Sequence, residues 1–139
     1  MKKLIYLFSI AFLILQSCSP DSSKNSENVD NTLLLRKWYS VSQTSGGKTY
    51  IHKACSNGNR DYFEFITPNI ANFYHWNNTT DCSYVKESFT WTRTGDIIKL
   101  NFGGNISTLT ISELSATSFI YVETPMDGSS SSKYVFSSY

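Results

Sequence analysis

Six clusters of turn-forming residues punctuate the chain: Ser45-Gly46-Gly47, Asn57-Gly58-Asn59, Pro68-Asn69, Gly95-Asp96, Gly103-Gly104-Asn105 and Asp127-Gly128. Gly reaches positive φ without steric cost, and Asn and Asp tolerate it, so these clusters mark reversals of the chain. The stretches between them are rich in Thr, Ser and aromatic residues and poor in Ala, Leu and Glu, a bias that favours strands over helices. They read as strands near 37–44, 48–53, 60–66, 70–76, 84–93, 96–102, 105–112, 118–124 and 133–138. Several are joined by only two to four residues. Such short connections force antiparallel hairpins, because parallel pairing needs crossovers of about a dozen residues or more. Eight or nine strands in hairpin order describe an up-and-down meander, and closing it into a barrel removes both exposed edges. The expected fold is therefore all-β: one antiparallel up-and-down β-barrel. A short N-terminal helical turn through Leu33, Leu34 and Leu35, capped by Asn31-Thr32, should precede it.

Alternation identifies the face that turns inward. Phe63 and Phe65 share one side of their strand, as do Phe89 and Trp91, and Ile98, Leu100 and Phe102. Lys99 and Asn101 then face solvent. Two strands leave their facing open. In 70–76, Phe73 opposes Tyr74 and Trp76, and in 118–124, Phe119 and Tyr121 oppose Ile120 and Val122.

Ahead of the strands lies a different kind of sequence. Lys2 and Lys3 precede an apolar run from Leu4 to Leu15. That is the length of a signal-peptide core and too short for a membrane span, which needs about 20 residues. The run ends in Leu15-Gln16-Ser17-Cys18, which resembles a bacterial lipobox, with Cys18 as the lipid-bearing first residue of the mature chain. Residues 1–17 are expected to be the signal peptide, 18–31 a flexible tether and 32–139 the folded domain. The tether (Ser19 to Asp30) holds one apolar residue, Val29, and cannot bury enough surface to offset its ordering entropy. Removing residues 1–17 takes away Lys2 and Lys3 and moves the formal charge from +1 to −1. A near-neutral chain carries no electrostatic footprint for nucleic acid. Membrane attachment would rest on the acyl chains, at about 0.8 kcal/mol per buried methylene. The expected location is the cell envelope, in the outer membrane rather than the inner, with only Asp21 near Cys18 to suggest a surface address.

The chemistry-bearing residues are few. Once Cys18 is lipidated, Cys55 and Cys82 remain, and an exported chain with an even pair favours a disulfide. The alternative is zinc held by His52, Cys55, His75 and Cys82, but their spacing matches no common zinc pattern. Gly47-Lys48-Thr49 looks like the tail of a phosphate-binding loop. The Gly required five residues earlier is Ser42, and Tyr50-Ile51-His52 continues as strand, so the tripeptide belongs to a hairpin. His52 and His75 are the only imidazoles available to activate a nucleophile, and no Gly-x-Ser-x-Gly elbow exists. Glu64, Glu87 and Glu123 fall within strands and are expected to point outward into solvent. No enzymatic activity and no cofactor are expected. The seven Phe, eight Tyr and three Trp that follow residue 17 would either fill a narrow barrel or line an apolar pocket at its mouth. The balance tilts slightly to the filled barrel.

Several motifs together resemble the lipocalin-like domains of Bacteroidota envelope lipoproteins. They are Leu34-Leu35-Arg36-Lys37-Trp38 opening the first strand, Phe63-Glu64-Phe65, Cys82, and Phe89-Thr90-Trp91 followed by Gly95-Asp96-Ile97-Ile98-Lys99-Leu100. Ile111-Ser112-Glu113-Leu114 before a late strand fits as well. The resemblance spans residues 33–139. It implies that Trp38 closes the barrel floor and that the domain binds a small hydrophobic ligand, with Trp38, Phe63, Phe65, Phe89, Trp91 and Leu100 as candidate contacts. Arg36 stands where lipocalins open with Gly, and the C-terminal helix of true lipocalins has no counterpart before Tyr139; both departures argue against a deep pocket. The competing expectation is a filled barrel that contacts another envelope protein through loops such as Ser45–Lys48 or Asn77–Asp81.

Overall fold

The computed structural model describes residues 30–77, 81–125 and 129–139. Cys18, the signal segment, most of the tether and parts of the 77–81 and 125–131 loops lie outside the described residues. Nine strands form one antiparallel sheet: β1 (Lys37–Ser45), β2 (Lys48–Ile51), β3 (Tyr62–Thr67), β4 (Ile70–Trp76), β5 (Tyr84–Thr94), β6 (Ile97–Phe102), β7 (Asn105–Leu114), β8 (Ser118–Thr124) and β9 (Ser132–Ser137). Each strand from β3 to β9 pairs with the next, and β1 pairs with β9 from Tyr39↔Ser137 to Ser45↔Ser132, which closes the ring. Gly46 and Gly47 join β1 to β2, and Gly103 and Gly104 join β6 to β7. All four have positive φ, the geometry of tight two-residue hairpins in a right-twisted sheet. Register shifts at Ser40/Ser42, Phe65/Thr67 and Ile111/Glu113 bend their strands, as closure of a small barrel requires.

One connection departs from a simple meander. β2 and β3 do not pair with each other; both lie along the same edge of β1, β2 against Ser42–Ser45 and β3 against Lys37–Tyr39. The ladder carries across the break, because the His52 N–H donates to the Val41 carbonyl (2.9 Å) and the Ser40 N–H to the Asp61 carbonyl (2.8 Å). The barrel is thus eight-stranded, made of β1 and β3 to β9, with β2 as an extra strand in line with β3. Residues 53–60 leave that line as an excursion. The Cys55–Cys82 disulfide ties the excursion to the segment between β4 and β5.

The N-terminal segment is a turn rather than a helix. The Asn31 carbonyl accepts N–H bonds from Leu34 (2.9 Å) and Leu35 (3.2 Å), and the Arg36 N–H then bonds to the Leu34 carbonyl (2.7 Å), too tight for a second helical turn. The capping oxygen comes from Asp30, whose Oδ1 accepts the Thr32 N–H at 2.9 Å.

The two undecided strands resolve cleanly. Ala71 and Phe73 face inward, while Tyr74 and Trp76 lie outside in an aromatic strip with Tyr62 and Tyr84. Phe119 and Tyr121 face inward too, joining the core around Phe136. The core is densest at the end where β1 begins. There Trp38, Phe65, Trp91 and Phe119 are almost completely buried, and Leu34 from the N-terminal turn is sealed among them. Indole N–H groups need partners when buried. Trp38 Nε1 donates to the Leu34 carbonyl (3.2 Å) and Trp91 Nε1 to the Thr67 carbonyl (2.9 Å). Arg36 lies 5.5 Å from the Trp38 ring and donates to the Ala116 carbonyl at 2.9 Å, lashing the N-terminal turn to the β7–β8 connection.

Candidate functional site

Above this floor the barrel is hollow. A cavity of about 360 Å³ opens toward the end bearing the β1–β2 and β6–β7 hairpins. One wall carries Phe63, Phe73, Phe89, Leu100 and Phe102; the facing wall carries Leu109, Tyr121, Tyr134 and Phe136. Its volume lies in the range of small-molecule sites, about 300–1,000 Å³. The balance that tilted to a filled barrel is therefore corrected: the lower half is filled and the upper half is open. The cause is side-chain size. Where strands below contribute only Trp, Phe and branched residues, the cavity's rings are interrupted by the small side chains of Ser40, Ser107 and Asn105.

The candidate ligand contacts divide accordingly. Phe63, Phe89 and Leu100 line the cavity. Trp38, Phe65 and Trp91 lie below it in the packed floor, with Phe65 edge-on to Trp91 at 5.1 Å.

Polar groups gather at the mouth. Glu87 on β5 and Glu123 on β8 both line the cavity mouth; Glu87 is also exposed to solvent, as expected of a strand carboxylate, while Glu123 is half-buried. Only Glu64 lies outside, across from Lys37 at 3.9 Å. The sequence did hold a signal for the other two. Glu87 shares parity with Phe89 and Trp91, and Glu123 with Phe119 and Tyr121, so each continues an inward-facing row. Glu123 makes itself felt inside the cavity. Burial first, and then the nearby Glu123 charge, push the Tyr121 phenol well above its ordinary range and raise that of Tyr134. Gln43 Nε2 donates to the Tyr134 hydroxyl at 3.1 Å, which fixes that phenol at the rim.

Asp61 anchors the other side of the mouth. It is buried; its Oδ1 accepts the Trp76 backbone N–H (2.7 Å), and its Oδ2 lies 2.9 Å from His75 Nδ1 and 3.8 Å from His52 Nδ1. Both imidazoles are thus turned toward one carboxylate. Cys55 and Cys82 are joined in a disulfide, with Cα atoms 5.9 Å apart. Among the described residues, no group of three or more His, Cys, Asp or Glu side chains is arranged to hold a metal ion. Gly47-Lys48-Thr49 lies in the β1–β2 hairpin, with Lys48 paired to Ser45.

An eight-stranded barrel with a sealed floor, a short N-terminal segment crossing it and a cavity at the opposite end has a matching family. A family model described as a lipocalin-like domain matches residues 34–121. The chain belongs to this lipocalin-like family. Two solved structures share the lipocalin-like barrel. A lipocalin-like protein from Bacteroides uniformis superposes with a TM-score of 0.59 at 12% identity, covering 77% of this chain and 99% of the other. An uncharacterized protein from Bacteroides eggerthii gives 0.57 at 15% identity, covering 76% and 98%. No curated protein matches the sequence. At such identities the structural likeness speaks to the fold alone, and the lipocalin-like cavity has to be read from its own residues.

Proposed function

We propose that the lipocalin-like barrel is a non-enzymatic binding module that holds a small, largely apolar molecule in its upper cavity. It would hang from an envelope membrane by a lipid on Cys18. The observation that carries this reading is the cavity itself: about 360 Å³ enclosed by aromatic and aliphatic side chains above a solid floor. A barrel used only as an interaction scaffold gains nothing from leaving that volume unfilled, because an unfilled core loses dispersion contacts and costs stability. The export and anchoring parts rest on the Leu4–Leu15 run and Leu15-Gln16-Ser17-Cys18. An envelope protein partner remains the second reading, supported by the exposed outer residues Ile51, Tyr84 and Val85.

Native mass spectrometry of the protein purified from its own host should show a retained small molecule. Calorimetry with 1-octanol should show binding in a single site, and Ser107→Phe, which projects a ring into the cavity from β7, should abolish it while leaving the fold intact. Octanol binding unchanged by Ser107→Phe would place the ligand elsewhere and defeat the proposal.

A further inference from the structure

The cavity's charges are one-sided. Glu87 and Glu123 line it, three strands apart around the eight-strand ring and so on facing walls; among the described residues no Lys or Arg lines it, and its one imidazole, His52, is turned toward Asp61 at 3.8 Å. Three cations near the mouth lie on its outer side. Lys86 lies over the outer Tyr74 ring at 5.7 Å, and Arg60 lines an outer groove beside Trp76. Lys133 neighbours Tyr134 on β9, so its side chain takes the opposite face of the sheet. The apolar wall adds to the bias, since the faces of Phe and Tyr rings attract cations. A carboxylate-headed amphiphile would bring a third negative charge between two others. A cationic head would find two counter-charges and several ring faces.

We infer that the cavity selects amphiphiles with a positively charged head, a primary or quaternary ammonium on an apolar body, over fatty acids of the same length. This deepens the binding-module reading and rests on it. The body enters toward Leu100 and Leu109, and the head stays at the rim between Glu87 and Glu123. The volume limits the guest to about a dozen non-hydrogen atoms, at about 30 Å³ for each water-sized portion. An eight-carbon chain with a small head fits that limit.

The test is calorimetric titration of the full mature chain with octylammonium, octyltrimethylammonium, 1-octanol and octanoate in low-salt buffer at pH 7. The ammonium compounds should bind at least tenfold more tightly than octanoate, with octanol between them. Raising the salt should narrow the gap, because rim charges are screened. E87Q/E123Q should erase the preference between ammonium and carboxylate heads, and an unchanged far-ultraviolet circular dichroism spectrum and urea midpoint show that the variant is folded. Octanoate binding as tightly as octylammonium, or a preference that survives E87Q/E123Q, would overturn the inference and leave the binding-module reading standing. Failure of all four probes to bind would defeat the binding-module reading as well.

Discussion

Replacing Trp38 by Ala tests the division of the barrel into a solid floor and an open mouth. Trp38 is completely buried, lies 5.5 Å from the Phe119 ring, and spends its indole N–H on the Leu34 carbonyl. A Trp side chain buries about 150–250 Å². At about 25 cal/mol per Å² that corresponds to about 4–6 kcal/mol, an upper figure because the unfolded chain already buries some of it. Ala keeps the Cβ, and the hole left below Phe119 cannot collapse easily between strands held in register. The Leu34 carbonyl also loses its partner, worth about 1 kcal/mol. The expected loss is about 4 kcal/mol, within the 3–5 kcal/mol typical of such truncations. Against a total of about 5–15 kcal/mol for a domain, the variant should remain folded but close to its limit. Phe102, half-exposed at the cavity rim, should lose less than about 1.5 kcal/mol on the same change. Urea unfolding followed by far-ultraviolet circular dichroism gives both values, with unchanged slope marking an unchanged unfolded state. A loss below 1 kcal/mol for Trp38→Ala, or equal losses at the two positions, would refute the filled floor.

Replacing Cys18 by Ala should release the protein from the membrane fraction of its host; unchanged association would rule out the lipid anchor. The Cys55–Cys82 bridge spans 27 positions and should contribute about 3.6 kcal/mol by loop-closure entropy, so Cys55→Ser/Cys82→Ser should lower the urea midpoint accordingly. Peptide mapping without reductant should recover the two cysteines as one linked pair, and free alkylation of both would contradict the bridge. Three tyrosines set an alkaline limit. Tyr62 is pushed up to about 12, mainly by burial and then by neighbouring Tyr74, and Tyr121 and Tyr134 are also raised. An unfolded phenol titrates near 10, so the unfolded chain releases these protons first. Their contribution is intact below pH 10 and is lost as pH rises through the folded values. Phenolate absorbance should show a late fraction that appears together with unfolding; one step near pH 10 in a folded chain would count against it.

The strands were legible because their turns are chemical. Gly46-Gly47 and Gly103-Gly104 take positive φ where Gly is needed, and the strands expected from them lie within a few residues of those observed. The inward rows of Phe63 and Phe65, and of Ile98 and Leu100, were legible from alternation for the same reason. The placement of β2 was not. Hairpin order pairs each strand with the next, and nothing local in 52–61 says that β3 resumes the line of β2 on β1, since that is settled by long-range pairing and the Cys55–Cys82 bridge. The depth at which each inward residue sits was also hidden. Parity separates the inside from the outside, but position along the barrel axis depends on stagger between strands, which only closure fixes. That is why Trp38 and Phe63, both inward, part into floor and cavity wall.

The same stagger explains how so small a barrel can be both stable and hollow. Along β3 with the residue before it, β5 and β9, the rows run from the mouth inward as Asp61–Phe63–Phe65, Glu87–Phe89–Trp91 and Tyr134–Phe136. A charged or hydroxyl-bearing residue thus gives way to a ring, and on β5 to a larger one. Each row places its most apolar surface toward the floor built on Trp38 and Leu34, and on β5 the polar end, Glu87, is exposed to water. Burial of the floor supplies the cohesion, and the polar ends keep the mouth from collapsing, since closing it would strip solvent from Glu87 and Glu123 without giving either a cation. An open upper half is therefore what this sequence stabilises. Substituting both rim carboxylates by apolar residues should favour closure of the cavity rather than a better pocket.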